Sequence, residues 1–261
     1  MADQVVEFSL TTEIGGLRLG NVADVSDTNG EVSTVVFAGE IPIPVRVNAS
    51  VRDANGGLVT TQSNTIAVTT GLPNQQGFSF NPDIFNIEAV EFNGVTANLT
   101  ARLTDTFNNT LVNFTTEGGV VESNCLTSAD VCSVVWTSAQ PRPANASITV
   151  LATSMGHETL FDSNGNNIFD TADGGPIEDA FNTQSGFRTD VYVQTGFIDH
   201  SEAWWDDNEN GQLDNGELFL DYNNNQAFDE ADGLFNGPQC QSAELCGQGT
   251  AATISVRKSL V

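Results

Sequence analysis

Positive charge is what this chain lacks most. One lysine (Lys258) and seven arginines stand against 34 acidic residues in 261, a formal net charge of −26. A nucleic-acid binder needs a cationic face to displace counterions from phosphate, so that class is excluded. No apolar run approaches the ~20 residues that cross a bilayer as a helix. The opening Met-Ala-Asp-Gln has neither the charged nor the apolar region of a secretory leader. Membrane insertion by this segment is therefore not expected. Catalytic signatures are missing too: there is no HExxH, P-loop, GxSxG, or GxGxxG behind a strand, so no enzyme is expected. The two histidines, His157 and His200, lie beside acidic residues and read as surface or hydrogen-bonded side chains.

Cysteine is scarce, but its placement is informative. Cys125 and Cys132 form one close pair, and Cys240 and Cys246 another. An even count at hairpin-like spacing suits two local disulfides and an oxidising compartment. Reduced thiols or a zinc site are the alternatives. Neither pair is a CxxC and both histidines lie elsewhere, which argues against zinc.

Hydrophobic residues make up 39% of the chain, enough for a folded core despite the charge. They fall in short alternating runs between Gly, Asn, Asp and Pro, with no sustained 3.6-residue period, the pattern of antiparallel β-sandwiches. Val95, Ala97, Leu99, Ala101 and Leu103 alternate with polar residues and are expected to face a core. The chain also repeats itself. Phe8 to Gly16 returns as Phe114 to Gly119, with Thr-Thr-Glu and a Gly-Gly in both. Thr34-Val35-Val36-Phe37 returns as Ser133-Val134-Val135-Trp136, Pro42-Ile43-Pro44 as Pro141-Arg142-Pro143, and Val45, Val47, Ala49 as Ile148, Val150, Ala152. These matches divide the chain into a first sandwich over 1–71, a linker over 72–85, a second sandwich over 86–157 and a distinct final part over 158–261. The second copy has a strand-rich lead-in, about 86–105, that the first lacks. Domain 1 is therefore expected to have an open sheet edge, belonging to a longer tandem array or completed by another chain.

The repeated motif, the Cys125/Cys132 hairpin and the Pro-x-Pro before a strand resemble bacterial immunoglobulin-like domains of the invasin and intimin type. That resemblance implies tandem immunoglobulin-like sandwiches on the surface of a bacterial cell.

The chemistry lies after Gly156. Residues 158–232 hold 18 acids and one base, Arg188, for a net of −17. Such a segment repels itself unless cations bind. In a calcium loop of EF-hand type, oxygens come from positions 1, 3, 5, 7 (backbone carbonyl), 9 and 12, with glycine favoured at 6. Asp162, Asn164, Asn166, Ile168, Asp170 and Asp173 fill that pattern in loop 1. Loop 2 has Asp206, Asn208, Asn210, Gln212, Asp214 and Glu217, and loop 3 has Asp221, Asn223, Asn225, Ala227, Asp229 and Asp232. Position 8 is apolar throughout: Phe169, Leu213 and Phe228. A glutamate lies four residues before each first aspartate (Glu158, Glu202 and Glu217), so Glu158 and Glu202 join the candidate ligands. About three Ca2+ ions are expected. Loop 2 is expected to bind best, because Gly211 holds its position 6 whereas Asn167 and Gln226 must there adopt positive φ. Affinities of about 10⁻⁴ to 10⁻³ M, the extracellular range, fit the neutral asparagines.

Only 218–220 separate loops 2 and 3, too few for EF-hand helices, so the two loops should lie back to back and Glu217 could serve both. Such runs resemble the calcium loops of thrombospondin type 3 repeats and dockerins. Phe161, Trp204, Trp205, Phe219 and Phe228 are expected to pack between the ions. The whole reads as an extracellular structural or adhesive segment stiffened by calcium. A self-assembling filament subunit and a calcium-dependent carbohydrate-binding module are the alternatives. Expected partners are neighbouring sandwich domains, copies of the chain itself, or host or surface glycans.

Overall fold

The computed structural model describes residues 2–69, 71–89, 91–104, 108–178, 195–242, 244–247 and 252–260. Arg188, the single base of the acidic segment, and Asp105, the end of the lead-in, lie outside them. Among the described residues the fold is all-β and of the sandwich type. Its only helical segments are two short 3-10 turns, Ile14–Gly16 and Gln75–Gly77. The chain forms two compact units, Met1–Thr70 and Gly71–Val261.

The first unit contains β1 (Val5–Leu10), β2 (Arg18–Leu19), β3 (Ala23–Val25), β4 (Val36–Phe37), β5 (Ile43–Val45), β6 (Val47–Arg52), β7 (Leu58–Gln62) and β8 (Ile66–Val68). An antiparallel sheet runs β3-β1-β6-β7, accompanied by the pairs β2-β4 and β5-β8. Its core is small: Leu17, Ile43 and Val45 are buried, with Leu10, Ile14, Val36 and Val68 packed against them.

The second unit contains β9 (Phe78–Pro82), β10 (Thr96–Leu103), β11 (Leu111–Thr116), β12 (Val120–Val121), β13 (Asn124–Leu126), β14 (Val131–Thr137), β15 (Ile148–Gly156), β16 (Leu160–Phe161), β17 (Pro176–Glu178), β18 (Gly196–Asp199) and β19 (Ala252–Leu260). Two four-stranded sheets, β12-β14-β10-β9 and β13-β11-β15-β19, enclose one core. Ala97, Leu99, Ala101 and Leu103 all face it, at 1% exposure or less, because alternate residues of a strand point the same way. Both cysteine pairs are disulfides, Cys125–Cys132 and Cys240–Cys246.

The sequence repeat reappears in strand register. Phe8 lies opposite Ala49 where β1 pairs with β6, and Phe114 opposite Ala152 where β11 pairs with β15. Arg18 opposes Phe37, and Val121 opposes Trp136. The Gly-Gly of the motif has a steric reason in the second copy. Gly119 has φ +75°, and a Cβ there would stand 2.7 Å from both the Thr137 carbonyl oxygen and the buried Trp136 ring. The Trp136 indole N–H donates to the Gly118 carbonyl at 2.9 Å.

Two boundaries differ from the sequence expectation. The stretch 72–85 is no free linker. Phe78-Ser79-Phe80-Asn81-Pro82 alternates buried and exposed as strand β9 against β10, and Phe80 is fully buried. The last strand does not belong to a separate terminal module either. Strand β19 runs antiparallel to β15 along its whole length, Ile148 opposite Leu260 through Gly156 opposite Ala252. The acidic segment is therefore an insertion between two adjacent strands of the second sandwich.

Candidate metal centre

Short strands position the insertion. β16 pairs antiparallel with β18, and β17 pairs parallel with the other edge of β18. Beneath them Phe169, Phe197 and Phe235 are fully buried, with ring centroids 5.1 to 5.4 Å apart. Loop 2 sits on an antiparallel bridge between Trp204 and Phe219. The Trp205 N–H donates to the Leu218 carbonyl and the Leu220 N–H to that of Ala203, both at 2.8 Å. This bridge stands where an EF-hand has helices. Trp204 and Phe219 both pack edge-on against Phe228, at 5.6 and 5.7 Å.

The three loops share one wiring. The position-1 aspartate accepts the N–H of position 6: Asn167 to Asp162 at 2.7 Å, Gly211 to Asp206 at 2.9 Å, and Gln226 to Asp221 at 2.8 Å. The position-7 N–H donates to the position-5 asparagine oxygen: Ile168 to Asn166 at 2.8 Å, Gln212 to Asn210 and Ala227 to Asn225 at 2.7 Å. Position 6 is left-handed in each, with φ 59° at Asn167, 77° at Gly211 and 66° at Gln226. Position 4 is left-handed as well (Gly165, Glu209 and Asn224), a feature the ligand spacing did not reveal. Two successive left-handed kinks curl the backbone so that the side chains of positions 1, 3, 5 and 9 converge. The amides of positions 3 and 5 reach the position-9 carboxylate in all three loops: Asn164 and Asn166 on Asp170, Asn208 and Asn210 on Asp214, Asn223 and Asn225 on Asp229. Backbone and amide donors hold the Asp170 carboxyl below its ordinary range, the Ala172 N–H contributing most.

A carboxylate closes each loop by accepting the N–H groups of positions 2 and 9. In loop 1 it is Asp173, from Ser163 and Asp170, both at 3.0 Å. In loop 2 it is Glu217, from Asp207 at 2.9 Å and Asp214 at 2.8 Å. Loop 3 departs from the sequence expectation. Glu202 closes it, from Tyr222 at 2.9 Å and Asp229 at 3.1 Å, while Asp232 accepts from Leu234 at 2.8 Å in the next turn. The longer reach of glutamate and the Trp204–Phe219 bridge bring position 202 beside loop 3, a pairing that spacing along the chain could not disclose. Glu217 is engaged in loop 2 alone by these contacts. Glu158, fully buried, accepts from His200 at 3.0 Å and Asn236 at 2.6 Å, two residues that lie outside the three loops. Burial pushes its carboxyl up to about 7, against the pull of those two N–H donors.

These loops fit a hard divalent cation by donor chemistry: oxygen only, from carboxylates, amide and backbone carbonyls. Among the described residues no three Asp, Glu, His or Cys side chains are gathered as a ready-made cage. Each loop carries few carboxylates and leans on neutral oxygens, and unscreened carboxylates keep apart. Trp204 is 6% exposed, which leaves its ring little face for stacking on a sugar. No protein-family model, curated protein or solved structure matches the chain.

Proposed function

We propose that the chain is an extracellular structural and adhesive segment of a bacterial surface protein, in which Ca2+ ions held by loops 1 to 3 stiffen the insertion of the second sandwich. One observation carries this reading: three separate stretches adopt the same oxygen-lined wiring, with the same left-handed positions 4 and 6. Without metal, such acidic loops repel themselves. Binding to the folded loops alone stabilises them by mass action. Two disulfides suit an oxidising, extracellular setting, and among the described residues no helix is long and apolar enough to cross a membrane. The test is differential scanning calorimetry with millimolar calcium and with excess chelator. The insertion should melt at a lower temperature without calcium, and identical melts would refute the reading.

A second reading, assembly into filaments by strand exchange, is supported by the first unit. Strand β14 lies between β12 and β10, whereas its counterpart β4 pairs only with β2 among the described residues, leaving Val35 59% and Phe37 43% exposed. Fibres in negative-stain micrographs would favour it, and monodisperse monomers at high concentration would oppose it.

A further inference from the structure

The wiring of loops 1 to 3 occurs once more, between segments that no continuous loop joins. The Gly233 N–H donates to Asp199 Oδ2 at 2.6 Å, as position 6 does to position 1. The Leu234 N–H donates to Asp232 Oδ1 at 2.8 Å, as position 7 does to position 5. Glu158 accepts from His200, the residue after Asp199, and from Asn236, as the closing carboxylate accepts from positions 2 and 9. The Glu158 N–H returns to the Asn236 carbonyl at 3.0 Å, as the Glu217 N–H returns to Asp214 at 3.1 Å. Asp199 and His200 thus correspond to positions 1 and 2, Asp232 to Asn236 to positions 5 to 9, and Glu158 to position 12. Gly233 has φ 78°, against 77° at Gly211. Phe235 falls at position 8 and packs on Phe169, the position-8 residue of loop 1, at 5.1 Å.

An independent observation points to a ligand. Asp199 is 5% exposed, and its Oδ1 has no hydrogen-bond partner. A buried carboxylate oxygen left without a donor is costly, and it sets Asp199 apart from loops 1 to 3, where the Oδ1 of the position-1 aspartate accepts a backbone N–H from Gly165, Asn210 or Asn225. Burial raises the Asp199 carboxyl above its ordinary range, and the Asp232 charge adds to the shift.

We propose that Asp199, Asp232, Glu158 and the Leu234 carbonyl form a fourth divalent-cation site, of calcium-type oxygen chemistry, assembled from three segments of the chain. The proposal rests on the reading of loops 1 to 3 as calcium loops. As with loops 1 to 3, the Asp199, Asp232 and Glu158 carboxylates are not gathered as a ready-made cage; Asp232 is exposed, so its carboxylate has room to turn onto an ion. The site has a distinct mechanical place. Glu158 follows the end of β15 by two residues and Asp199 ends β18, so an ion here ties the insertion to the sandwich strand from which it departs.

The test is native mass spectrometry of the full chain titrated with Ca2+ alone, comparing wild type with Asp199→Asn, Asp232→Ala, Asp221→Asn and the double variant D221N/D232A; alanine is used at 232 because asparagine fills position 5 in loops 1 to 3. The expected result is one calcium fewer in each single variant and two fewer in the double. If D199N fails to fold by circular dichroism, D232A, at an exposed position, carries the count. Unchanged counts in D199N and D232A would overturn the fourth site and leave loops 1 to 3 standing. A double variant that loses only one ion would return Asp232 to loop 3 and also overturn it. A wild type that binds no calcium would overturn the three-loop reading and this site with it.

Discussion

Replacing Glu202 by alanine separates closure of loop 3 by a distant residue from closure by its own twelfth position. The substitution removes the acceptor of two backbone N–H groups, those of Tyr222 and Asp229, at 2.9 and 3.1 Å. Hydrogen bonds to a charged group contribute roughly 1.5 to 3 kcal/mol each, but Tyr222 is exposed and water can replace its bond. A stability loss of about 2 kcal/mol in the metal-free protein follows. The effect on calcium is larger. Two unit charges 4 Å apart in water attract by about 1 kcal/mol. A divalent ion doubles the charge and contact at about 2.4 Å shortens the distance, giving about 3 kcal/mol, or roughly a hundredfold in Kd. Trp204 reports on the loop directly, because its ring packs edge-on against Phe228 at 5.6 Å. In a calcium titration followed by tryptophan fluorescence, the Trp204 component of E202A should shift to about hundredfold higher calcium. A titration superimposable on wild type, with Asp221→Asn shifting as expected, would refute the role of Glu202.

Other outcomes follow from the same contacts. Phe197→Ala empties the centre of the buried phenylalanine trio and should destabilise the insertion by about 3 to 5 kcal/mol in urea titrations with calcium present. A cost below about 1 kcal/mol would mean that this cluster is no core. Cys240→Ser with Cys246→Ser opens a disulfide spanning six residues and should cost about 2 kcal/mol by the loop-entropy relation, read from the same titrations. With calcium removed, Glu158 is a carboxyl whose folded value, about 7, lies above its ordinary 4.5. Its contribution is therefore fully present below about pH 4.5 and lost as pH rises through about 7. Chelated protein should melt lower at pH 8 than at pH 5, and Glu158→Gln should flatten that dependence; an equal slope in both proteins would contradict it.

What the sequence disclosed, and what it hid, follows from the range of each interaction. Strand alternation at Ala97 to Leu103 and the spacing of the loop ligands are local, so they could be read directly. The repeat carried farther: it equated Phe8 with Phe114 and Ala49 with Ala152, and the fold sets Phe8 opposite Ala49 and Phe114 opposite Ala152 across strands some forty residues apart, a register the repeat itself did not state. Interactions between distant segments were hidden. Nothing near Thr253 announces that β19 lies beside β15, and nothing near Glu202 announces loop 3. Two signals were present but unread. Phe78-Ser79-Phe80 alternates as a strand should. Asp232-Gly233-Leu234-Phe235-Asn236 repeats positions 5 to 9 of loop 2, Asn210-Gly211-Gln212-Leu213-Asp214, without a first half upstream. That half is supplied by Asp199, more than thirty residues away, where only folding brings it.

The most direct measurement is a crystal structure grown in millimolar calcium, with anomalous difference density collected at long wavelength. Peaks ringed by oxygens at about 2.3 to 2.6 Å within loops 1, 2 and 3 are the predicted result. Loops that hold only water under those conditions would contradict the account.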